Sequence, residues 1–459
     1  MLIIHRMIPD TTEVTRIAIA LRITAATLPD FCAFGLKQLS YKGLTRLCGV
    51  VSGVTAAVKY TKSTRYICPN EECEGHYGNK YVRVHIPGAS EKEMVGHGFN
   101  CCACGAALKE VQSQRTLSEK LMAEIVPLNL LKGNTNYLQT GCRQQAISII
   151  IRDDLCSEVT LGQYCELVGT QRAVHKDENI TYMFEVNNFI RQKDPACLIG
   201  ALPASVQRVF AKWQSSPCIF PQAMATKLGV HVCPPGLCLK LKLMLLVSLV
   251  LTPELPPLHV LSVSRETDIV QRLMVYCCRL AARAICHSSL NILGAKISSN
   301  RYQWSPYFVQ AGSLVLAREG VCRICGDIRA LKRADKQELQ TAMSENRVQV
   351  ALESRHTGSL PCVLQIPLAC QVWAHTAGSD SVPNSSSFLG ACAIPDIPTS
   401  LSEAFSVISI GESVGWDSSD KVDCELVDHL IATNMNSEDR GHGSVRRSSI
   451  DSTRPLYSS

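Results

Sequence analysis

The chain has 459 residues, of which 46% are hydrophobic and 19% are charged. This composition is typical of a folded protein with sizeable cores, and it excludes a disordered or collagen-like chain. At roughly 150 residues per domain, the length allows about three units. The net charge of +6 permits an anionic partner without requiring one. Cysteine is the unusual residue: there are 23, an odd number that excludes complete internal pairing.

The N-terminus and the hydropathy indicate the compartment. Residues 1–8 lack the basic, apolar and small-residue pattern of a secretory signal. We therefore expect the cysteines to be reduced thiols. The longest uncharged apolar run, residues 243–251, is nine residues long, whereas a helix needs roughly 20 to span a bilayer. We expect no membrane partner.

Strand patterns separated by turns dominate residues 1–172, which predicts a small β-barrel. Residues 43–59 carry three glycines among β-branched residues, as in a barrel strand that bends at its glycines. Residues 145–152 and 161–169 are predicted to be further strands, with a turn at 153–154.

From about residue 179 the pattern favours helices that alternate with strands, which predicts an α/β layered domain. We expect residues 173–230 to form a helical connection and residues 231–436 to form the α/β domain. The serine-rich residues 437–459 are predicted to be a disordered tail. The individual elements predicted are helices at 205–214, 238–251, 268–283 and 337–345, and strands at 258–264, 311–317, 320–325 and 347–352.

Two close cysteine pairs predict a metal site. They are Cys68 with Cys73 and Cys101 with Cys104, and two short turns can bring four such thiolates together around tetrahedral zinc. Four thiolates leave no open coordination position, so the zinc would be structural. The alternative is a set of buried reduced thiols. Other ligands also remain open, namely Cys102 in place of Cys101, or one of His76, His85 and His97.

Basic and aromatic residues lie on both sides of the first cysteine pair. Small barrels bind single-stranded nucleic acid through a basic groove and stacking rings, so these residues are candidate DNA contacts. The alternative is that the basic residues merely solvate one strand face while the tyrosines pack on the other. The candidates are Lys59, Lys62, Arg65, Tyr66, Lys80 and Arg83, with Tyr60 and Tyr81 beside them.

Three stretches, residues 58–68, 81–90 and 310–324, resemble the minichromosome maintenance (MCM) helicase family. The resemblance extends over roughly residues 20–435. It implies an OB-like barrel with an inserted zinc ribbon at about 66–106, followed by an ATPase-like α/β domain of the AAA+ class. It also implies a nuclear protein of meiotic recombination and DNA double-strand break repair. Its partners would be DNA, chiefly single-stranded, and other MCM-like or recombination proteins.

The departures from the family pattern concern the ATPase chemistry. A phosphate-binding loop needs glycines, a lysine and a Ser or Thr, whereas residues 264–269 read Ser-Arg-Glu-Thr-Asp-Ile. In the MCM family a pair of acidic residues follows an apolar strand and serves magnesium binding and water activation. After the corresponding residues 320–324 of this chain, only Asp327 remains of that pair. The arginine-finger segment reads Ser402-Glu-Ala-Phe-Ser406, without arginine. We therefore expect a degenerate domain with no catalytic residues and no ATP cofactor.

These observations favour a zinc-stabilised, DNA-associated scaffold without ATPase activity. One alternative is an active ATP-dependent DNA helicase of the same family. A second alternative is a protein-interaction module that makes no contact with DNA.

Overall fold

The computed structural model describes residues 21–24, 28, 43–77, 81–86, 98–131, 146–176, 179–191, 207–208, 210–211, 219–233, 237–251, 255–264, 267–298, 305–352, 362–378 and 397–410. Most of the predicted helix at 205–214, all of the predicted tail at 437–459, and both Lys80 and His97 lie outside these residues.

Strands predominate in the first half of the described chain, and strands and helices alternate in the second. The strands are β1 (Leu44–Thr55), β2 (Val58–Ile67), β3 (Tyr81–Val84), β4 (Lys109–Glu110), β5 (Thr116–Val126), β6 (Ile147–Arg152), β7 (Tyr164–Lys176), β8 (Asn179–Arg191), β9 (Val260–Ser264), β10 (Ala284–His287), β11 (Ala295–Ser298), β12 (Phe308–Ala311), β13 (Val321–Asp327), β14 (Arg347–Leu352), β15 (Cys362–Pro367), β16 (Gln371–Ala377) and β17 (Val407–Ile410). The α-helices are α1 (Leu128–Leu131), α2 (Ile219–Lys227), α3 (Leu239–Val250), α4 (Thr267–Leu280), α5 (Ser313–Leu316), α6 (Arg333–Glu345) and α7 (Thr399–Ala404).

Five strands close into the predicted barrel. Around the ring, β1 pairs with β7, β7 with β8, β8 with β6, β6 with β5, and β5 again with β1. Every pairing is antiparallel except that of β6 with β8, which is parallel. A closed five-stranded barrel of this kind is OB-like, so the predicted barrel is confirmed.

The cysteine-bearing segment is inserted between the first two barrel strands, β1 and β5. Within it, β2 extends the sheet by pairing with β5, and both β3 and β4 pair with β2. The predicted single strand at 43–59 is therefore two strands, because β1 ends at Thr55 and β2 starts the insertion at Val58.

The second half is built on a five-stranded parallel sheet with the strand order β10-β13-β16-β9-β17. Helices α3 and α4 cover one face, where the buried Trp373 ring donates a hydrogen bond from Nε1 to Ser248 Oγ at 2.9 Å. The opposite face packs against α5, α6 and α7 through side chains such as Ile324, Leu339 and Leu401. The predicted α/β layering is thus present.

Helix α3 confirms the helix predicted at 238–251, and its mostly apolar sequence packs in the second hydrophobic cluster. It spans 12 residues. In the described part of the chain, no helix is both long enough and apolar enough to cross a membrane.

The two halves of the molecule share one sheet and one core. The hairpin of β11 and β12 lies between β10 and β13 in sequence, yet β12 pairs with β1 of the barrel. Beside this junction Arg283, only 1% exposed, donates from Nη1 to the Gly162 carbonyl oxygen at 2.6 Å. The same nitrogen lies 3.3 Å from the Leu316 carbonyl oxygen. One continuous cluster of buried side chains accordingly extends from the barrel into the α/β half.

The strand predicted at 311–317 is wrong. Strand β12 ends at Ala311, and residues 313–316 form the short helix α5. The chain leaves the sheet at Gly312, whose N–H bonds to the Gly294 carbonyl oxygen at 2.6 Å, while the Ser313 N–H bonds to that of Ile292 at 2.9 Å. A short apolar run fits a buried strand or a buried helix equally well, and these tertiary contacts decide between them.

The helical connection predicted for residues 173–230 also needs correction at its start. Strand β7 continues to Lys176, and β8 pairs with it almost residue for residue from Asn179 to Arg191. The β-branched and aromatic residues of this segment fit a pleated strand. The long strand β7 is its partner, and β7 would lack this partner if the segment were helical.

The turn at Gly162 generates a prediction about stability. Its φ is +75°, and a Cβ atom there would lie 2.0 Å from the Val315 carbonyl oxygen. We expect Gly162→Ala to lower the free energy of unfolding by about 2–5 kcal/mol. The alanine would be held in a left-handed backbone conformation and would also collide with Val315, and the two costs add. Urea denaturation of the purified chain measures this loss.

Gly326 is the matched control, since its φ is +77° but a Cβ atom would meet nothing within 4 Å. Gly326→Ala should therefore cost only the conformational strain, about 1–2 kcal/mol. Equal losses for the two variants would show that the contact between Gly162 and Val315 does not limit stability.

Candidate functional site

Four cysteine sulfurs meet in the insertion between β1 and β5. The Sγ atoms of Cys68, Cys73, Cys101 and Cys104 all lie within 4.8 Å of one another. Cys68 and Cys104 are 3.3 Å apart at their sulfurs, and Cys73 and Cys101 are 3.6 Å apart. Three of the four side chains are buried and Cys104 is exposed.

This geometry fits a tetrahedral metal ion. Zinc–sulfur bonds of about 2.3 Å place neighbouring sulfurs about 3.8 Å apart in a tetrahedron, close to the separations found here. The four cysteines can therefore hold a metal ion, which is compatible with structural zinc. Cys102 is exposed and its sulfur is not among the four.

The two described histidines among the alternative ligands, His76 and His85, do not join the cluster. His76 Nδ1 lies 2.7 Å from the carbonyl oxygen of Cys68, so the ring supports the turn rather than the sulfurs. His85 packs against the Tyr60 ring, with the ring centres 5.3 Å apart. His97 lies outside the described residues.

Backbone hydrogen bonds shape both cysteine turns. In the first turn, the Cys73 N–H donates to the Asn70 carbonyl oxygen at 3.1 Å, and the Gly75 N–H reaches the Cys73 sulfur at 3.4 Å. In the second turn, the Gly105 N–H donates to the Cys101 carbonyl oxygen at 2.9 Å. The chain thus presents its sulfurs from two tight loops, with little need for an apolar core.

Two residues that sequence reasoning did not assign to this site support it. The Tyr81 hydroxyl accepts the Cys102 N–H at 3.0 Å and lies 3.2 Å from the Cys101 sulfur, to which it donates. This hydrogen bond is the main reason that the pKa of Cys101 is lowered to about 6. Gly75 leaves room for the same sulfur, since a Cβ atom there would lie 2.8 Å from it. A glycine two residues after a predicted ligand cysteine was the available sequence signal.

The basic candidates on β2 already have polar partners. Lys59 Nζ lies 2.7 Å from Glu119 Oε1, and Lys62 Nζ lies 3.2 Å from Asp153 Oδ2. Arg65 donates to the Gln114 side-chain oxygen. These residues remain near the surface beside the cysteine turns.

The aromatic part of the candidate interface is corrected by the structure. Tyr60 and Tyr66 are 4% and 5% exposed, so neither ring is free to stack on a base. Tyr66 packs edge-on against Phe99 with ring centres 5.1 Å apart, and the Arg83 guanidinium lies 3.8 Å from the centre of the Phe99 ring. Lys80 lies outside the described residues.

Residues 264–269, whose sequence departs from the expected phosphate-binding pattern, lie where β9 meets α4. Strand β9 ends at Ser264 and helix α4 begins at Thr267, so only residues 265–266 connect them. Those two residues are arginine and glutamate. Both residues lie outside the part of the chain that the structure describes.

The acidic residue at the end of β13 is fully engaged in structural contacts. Asp327 Oδ2 accepts from Arg329 Nη2 at 2.7 Å and from the Ala377 N–H at 3.2 Å, while Oδ1 accepts from the Thr376 hydroxyl at 2.9 Å. Burial raises the pKa of this carboxyl, but the hydrogen bonds outweigh burial and lower it to about 2. The carboxylate therefore ties β13 to β16.

Residues 402–406, which were compared with the arginine-finger segment in the sequence, begin within a short helix. Residues 399–404 form helix α7, and Ser402 is 1% exposed with its hydroxyl donated to the Thr399 carbonyl oxygen at 2.8 Å. Leu401 and Phe405 are buried in the shared core.

The fold and the cysteine site define a class of protein: an OB-like barrel that carries a four-cysteine ribbon, followed by a parallel α/β layer. Sequence comparison adds the names of related proteins. The chain is 28% identical over 414 residues to the minichromosome maintenance domain-containing protein 2 of Rattus norvegicus. The matched region covers 86% of this chain and 60% of the rat protein. The proteins of the same name from Mus musculus and Homo sapiens are also 28% identical, over 410 and 413 residues.

These matches confirm the predicted resemblance to the MCM family. The chain spans about 60% of the length of the curated relatives that it matches. No protein-family model matches the chain.

The cysteine cluster generates a prediction about metal content. We expect the purified chain to carry about one zinc ion, because its four sulfurs form one tetrahedral site. Cys68→Ser should lose it, and Gly75→Ala should weaken binding because its Cβ atom would collide with the Cys101 sulfur. Elemental analysis after dialysis against a weak chelator measures the zinc content.

Cys102→Ser is the matched control, since this neighbour of Cys101 is exposed and outside the cluster. It should retain the zinc of the unmodified chain. Loss of zinc from this variant, or full zinc in Cys68→Ser, would contradict the ligand set.

The Asp327 contacts generate a prediction about pH. Because the pKa of this carboxyl is lower in the folded chain than its ordinary 3.8, its stabilisation is complete above about pH 5 and is lost as the pH falls through about 2. Asp327→Asn should therefore be less stable than the parent at neutral pH, with a difference that shrinks in acid. Urea midpoints from pH 6 to pH 2 measure the difference, and a constant gap would refute the linkage.

Proposed function

We propose that the chain is an MCM-like, DNA-associated scaffold without ATPase activity, which acts in meiotic recombination and DNA double-strand break repair in the nucleus. The connection between β9 and α4 carries the first part of this proposal. Two residues, neither of them glycine, stand where nucleotide chemistry needs a phosphate-binding loop. The biological setting rests on the family resemblance.

The order of the parallel strands supports an AAA+-like origin for the second half. Counted along the chain, β9, β10, β13, β16 and β17 are strands one to five, and across the sheet they lie in the order 5-1-4-3-2. This is the order of the AAA+ ATPase fold. Ligands of such open sheets bind at the carboxyl ends of the strands. There, Asp327 is held by Arg329, Thr376 and Ala377 rather than being free for a metal ion.

The barrel supports contact with single-stranded DNA. In OB folds, the loop between the first two strands is one of the elements that bind oligonucleotides. In this chain that loop is the insertion with the cysteine cluster, Lys59, Lys62 and Arg65. The ion pair of Lys59 with Glu119 is exposed on both sides, and such pairs contribute only about 0–1 kcal/mol. A DNA phosphate can replace the carboxylate at little cost.

The proposed function predicts that the purified chain neither binds ATP in the micromolar range nor hydrolyses it, with or without single-stranded DNA. Equilibrium binding of a fluorescent ATP analogue and a phosphate-release assay test this. DNA-stimulated hydrolysis would instead establish the helicase alternative.

The proposed DNA binding is tested with two variants, each of which loses three positive charges. Replacing Lys59, Lys62 and Arg65 by alanine should weaken binding to a single-stranded oligonucleotide. It should also make the plot of the log binding constant against the log salt concentration less steep by about 2, because each phosphate contact to a single strand contributes about 0.7 to the slope. The control replaces Lys332, Arg333 and Lys336, a second basic run at the start of α6. Equal effects of the two triple variants, or no DNA binding by the parent, would favour the interaction module.

A further inference from the structure

The four sulfurs of the cysteine ribbon form two close pairs. The Cys68 and Cys104 sulfurs are 3.3 Å apart, and those of Cys73 and Cys101 are 3.6 Å apart. Each pair joins one cysteine turn to the other. Since a sulfur–sulfur bond is about 2 Å long, either pair can become a disulfide after a short movement. Metal coordination and oxidation therefore compete for the same sulfurs.

Exposure distinguishes the two pairs. The Cys104 side chain is exposed, whereas those of Cys68, Cys73 and Cys101 are buried. The cysteine ligands of a metal site are thiolates, and oxidation by a dissolved reagent requires both a thiolate and access to it. Cys104 is therefore the ligand that an oxidant reaches, and the Cys68 sulfur is in contact with it.

The pair of Cys73 and Cys101 is enclosed by neighbouring groups. The Tyr81 hydroxyl lies 3.2 Å from the Cys101 sulfur, and the Gly75 nitrogen lies 3.4 Å from that of Cys73. Gly75 also packs closely on Cys101, since a Cβ atom there would lie 2.8 Å from its sulfur. Such contacts orient metal ligands, and here they also cover the two sulfurs.

The backbone beside Cys104 leaves room for the movement that a disulfide requires. Residues 102–105 are all exposed. A Cβ atom at Gly105 would meet nothing within 4 Å. Cys68 is held more firmly, because its N–H donates to the Gly75 carbonyl oxygen at 3.2 Å. The exposed second turn is therefore the part that moves when this pair closes.

We propose that the ribbon is a peroxide-sensitive switch in which Cys104 is oxidised first and Cys68 is its resolving partner. The Cys104 thiolate attacks one oxygen of a hydroperoxide and breaks the O–O bond, which gives a sulfenic acid and an alkoxide, or hydroxide where the oxidant is hydrogen peroxide. The Cys68 thiolate then attacks the sulfenic sulfur, forms the disulfide and expels hydroxide. The two sulfurs lose two electrons in all and the peroxide gains them. A small-molecule thiol reverses the reaction.

The disulfide removes half of the ligand set. Only Cys73 and Cys101 remain, whereas a structural zinc site has four protein ligands. The ribbon has few buried apolar side chains of its own, and metal binding supplies folding energy in units of this size. Oxidation therefore releases the metal ion and loosens the ribbon, while the barrel keeps its separate core. The inference rests on the metal site and not on contact with DNA.

Metal release is measured on the full chain loaded with zinc. With a slight excess of hydrogen peroxide, we expect about one zinc ion per chain to pass to a colorimetric zinc chelator. Dithiothreitol followed by added zinc should restore the metal content. Zinc that stays bound in peroxide, zinc loss without a disulfide, or a chain that takes up no zinc would overturn the switch.

Peptide mapping identifies the two sulfurs. Trypsin combined with a glutamate-specific protease places Cys68 in peptide 66–71, apart from Cys73, and places Cys104 in peptide 94–109. We expect these two peptides to be cross-linked, and fragmentation of the cross-linked pair should locate the bond at Cys104. A first product that links Cys73, or another cysteine of peptide 94–109, would contradict the assignment.

Two histidine variants separate the roles of the two pairs while keeping a metal site, since zinc also binds three cysteines and one histidine. Cys104→His should release zinc at least about tenfold more slowly than the parent, because the exposed sulfur is gone. The matched variant Cys73→His should still form the cross-link and release its zinc. Cys102→Ser, which changes an exposed cysteine outside the cluster, should respond as the parent does. Equal release from the two histidine variants, or no response in Cys102→Ser, would show that Cys104 is not the reactive ligand.

Discussion

The junction between the two halves of the molecule depends on a buried arginine, Arg283. The Arg283 guanidinium is almost completely withdrawn from water, and a charge in that position is tolerated only where hydrogen-bond acceptors surround it. It finds carbonyl oxygens on both sides of the junction, Gly162 from the barrel and Leu316 from α5. The barrel loop, the short helix and the start of β10 are thereby fixed together. The pairing of β1 with β12 joins the same two halves.

The cysteine ribbon depends on a different kind of stabilisation. Its buried cluster consists of Cys68, Cys73 and Cys101, with Tyr81, Ala106 and Leu108 packed against it. So little apolar surface contributes little to folding, and metal coordination replaces a hydrophobic core in small units of this kind. The ribbon is rooted in β2, which also carries the basic residues. The position of the proposed DNA contacts is therefore tied to the integrity of the cysteine site.

The sequence predicted the parts of the structure that local chemistry determines, and missed those that distant contacts determine. Cysteine spacing identified the four clustered sulfurs, and short strand patterns separated by turns identified the barrel. The helix at 313–316 and the strand at 179–191 were missed because their partners lie elsewhere in the chain. Tyr66 looked like a stacking residue because its neighbours are basic, but the bulge in β2 and the packing of Phe99 place its ring inside. Composition alone carries no signal for such a choice.

The pairing of β1 with β12 also has a consequence for biosynthesis. Gly53, Val54 and Thr55 at the end of β1 pair with β12, so this short strand edge receives its partner only after more than 250 further residues have been made. At about 5–20 residues per second, that edge stays open on the ribosome for about 13–50 s. An exposed strand edge is a template for wrong pairing. Residues 53–55 therefore lack this partner over that interval, and slower translation would lengthen it.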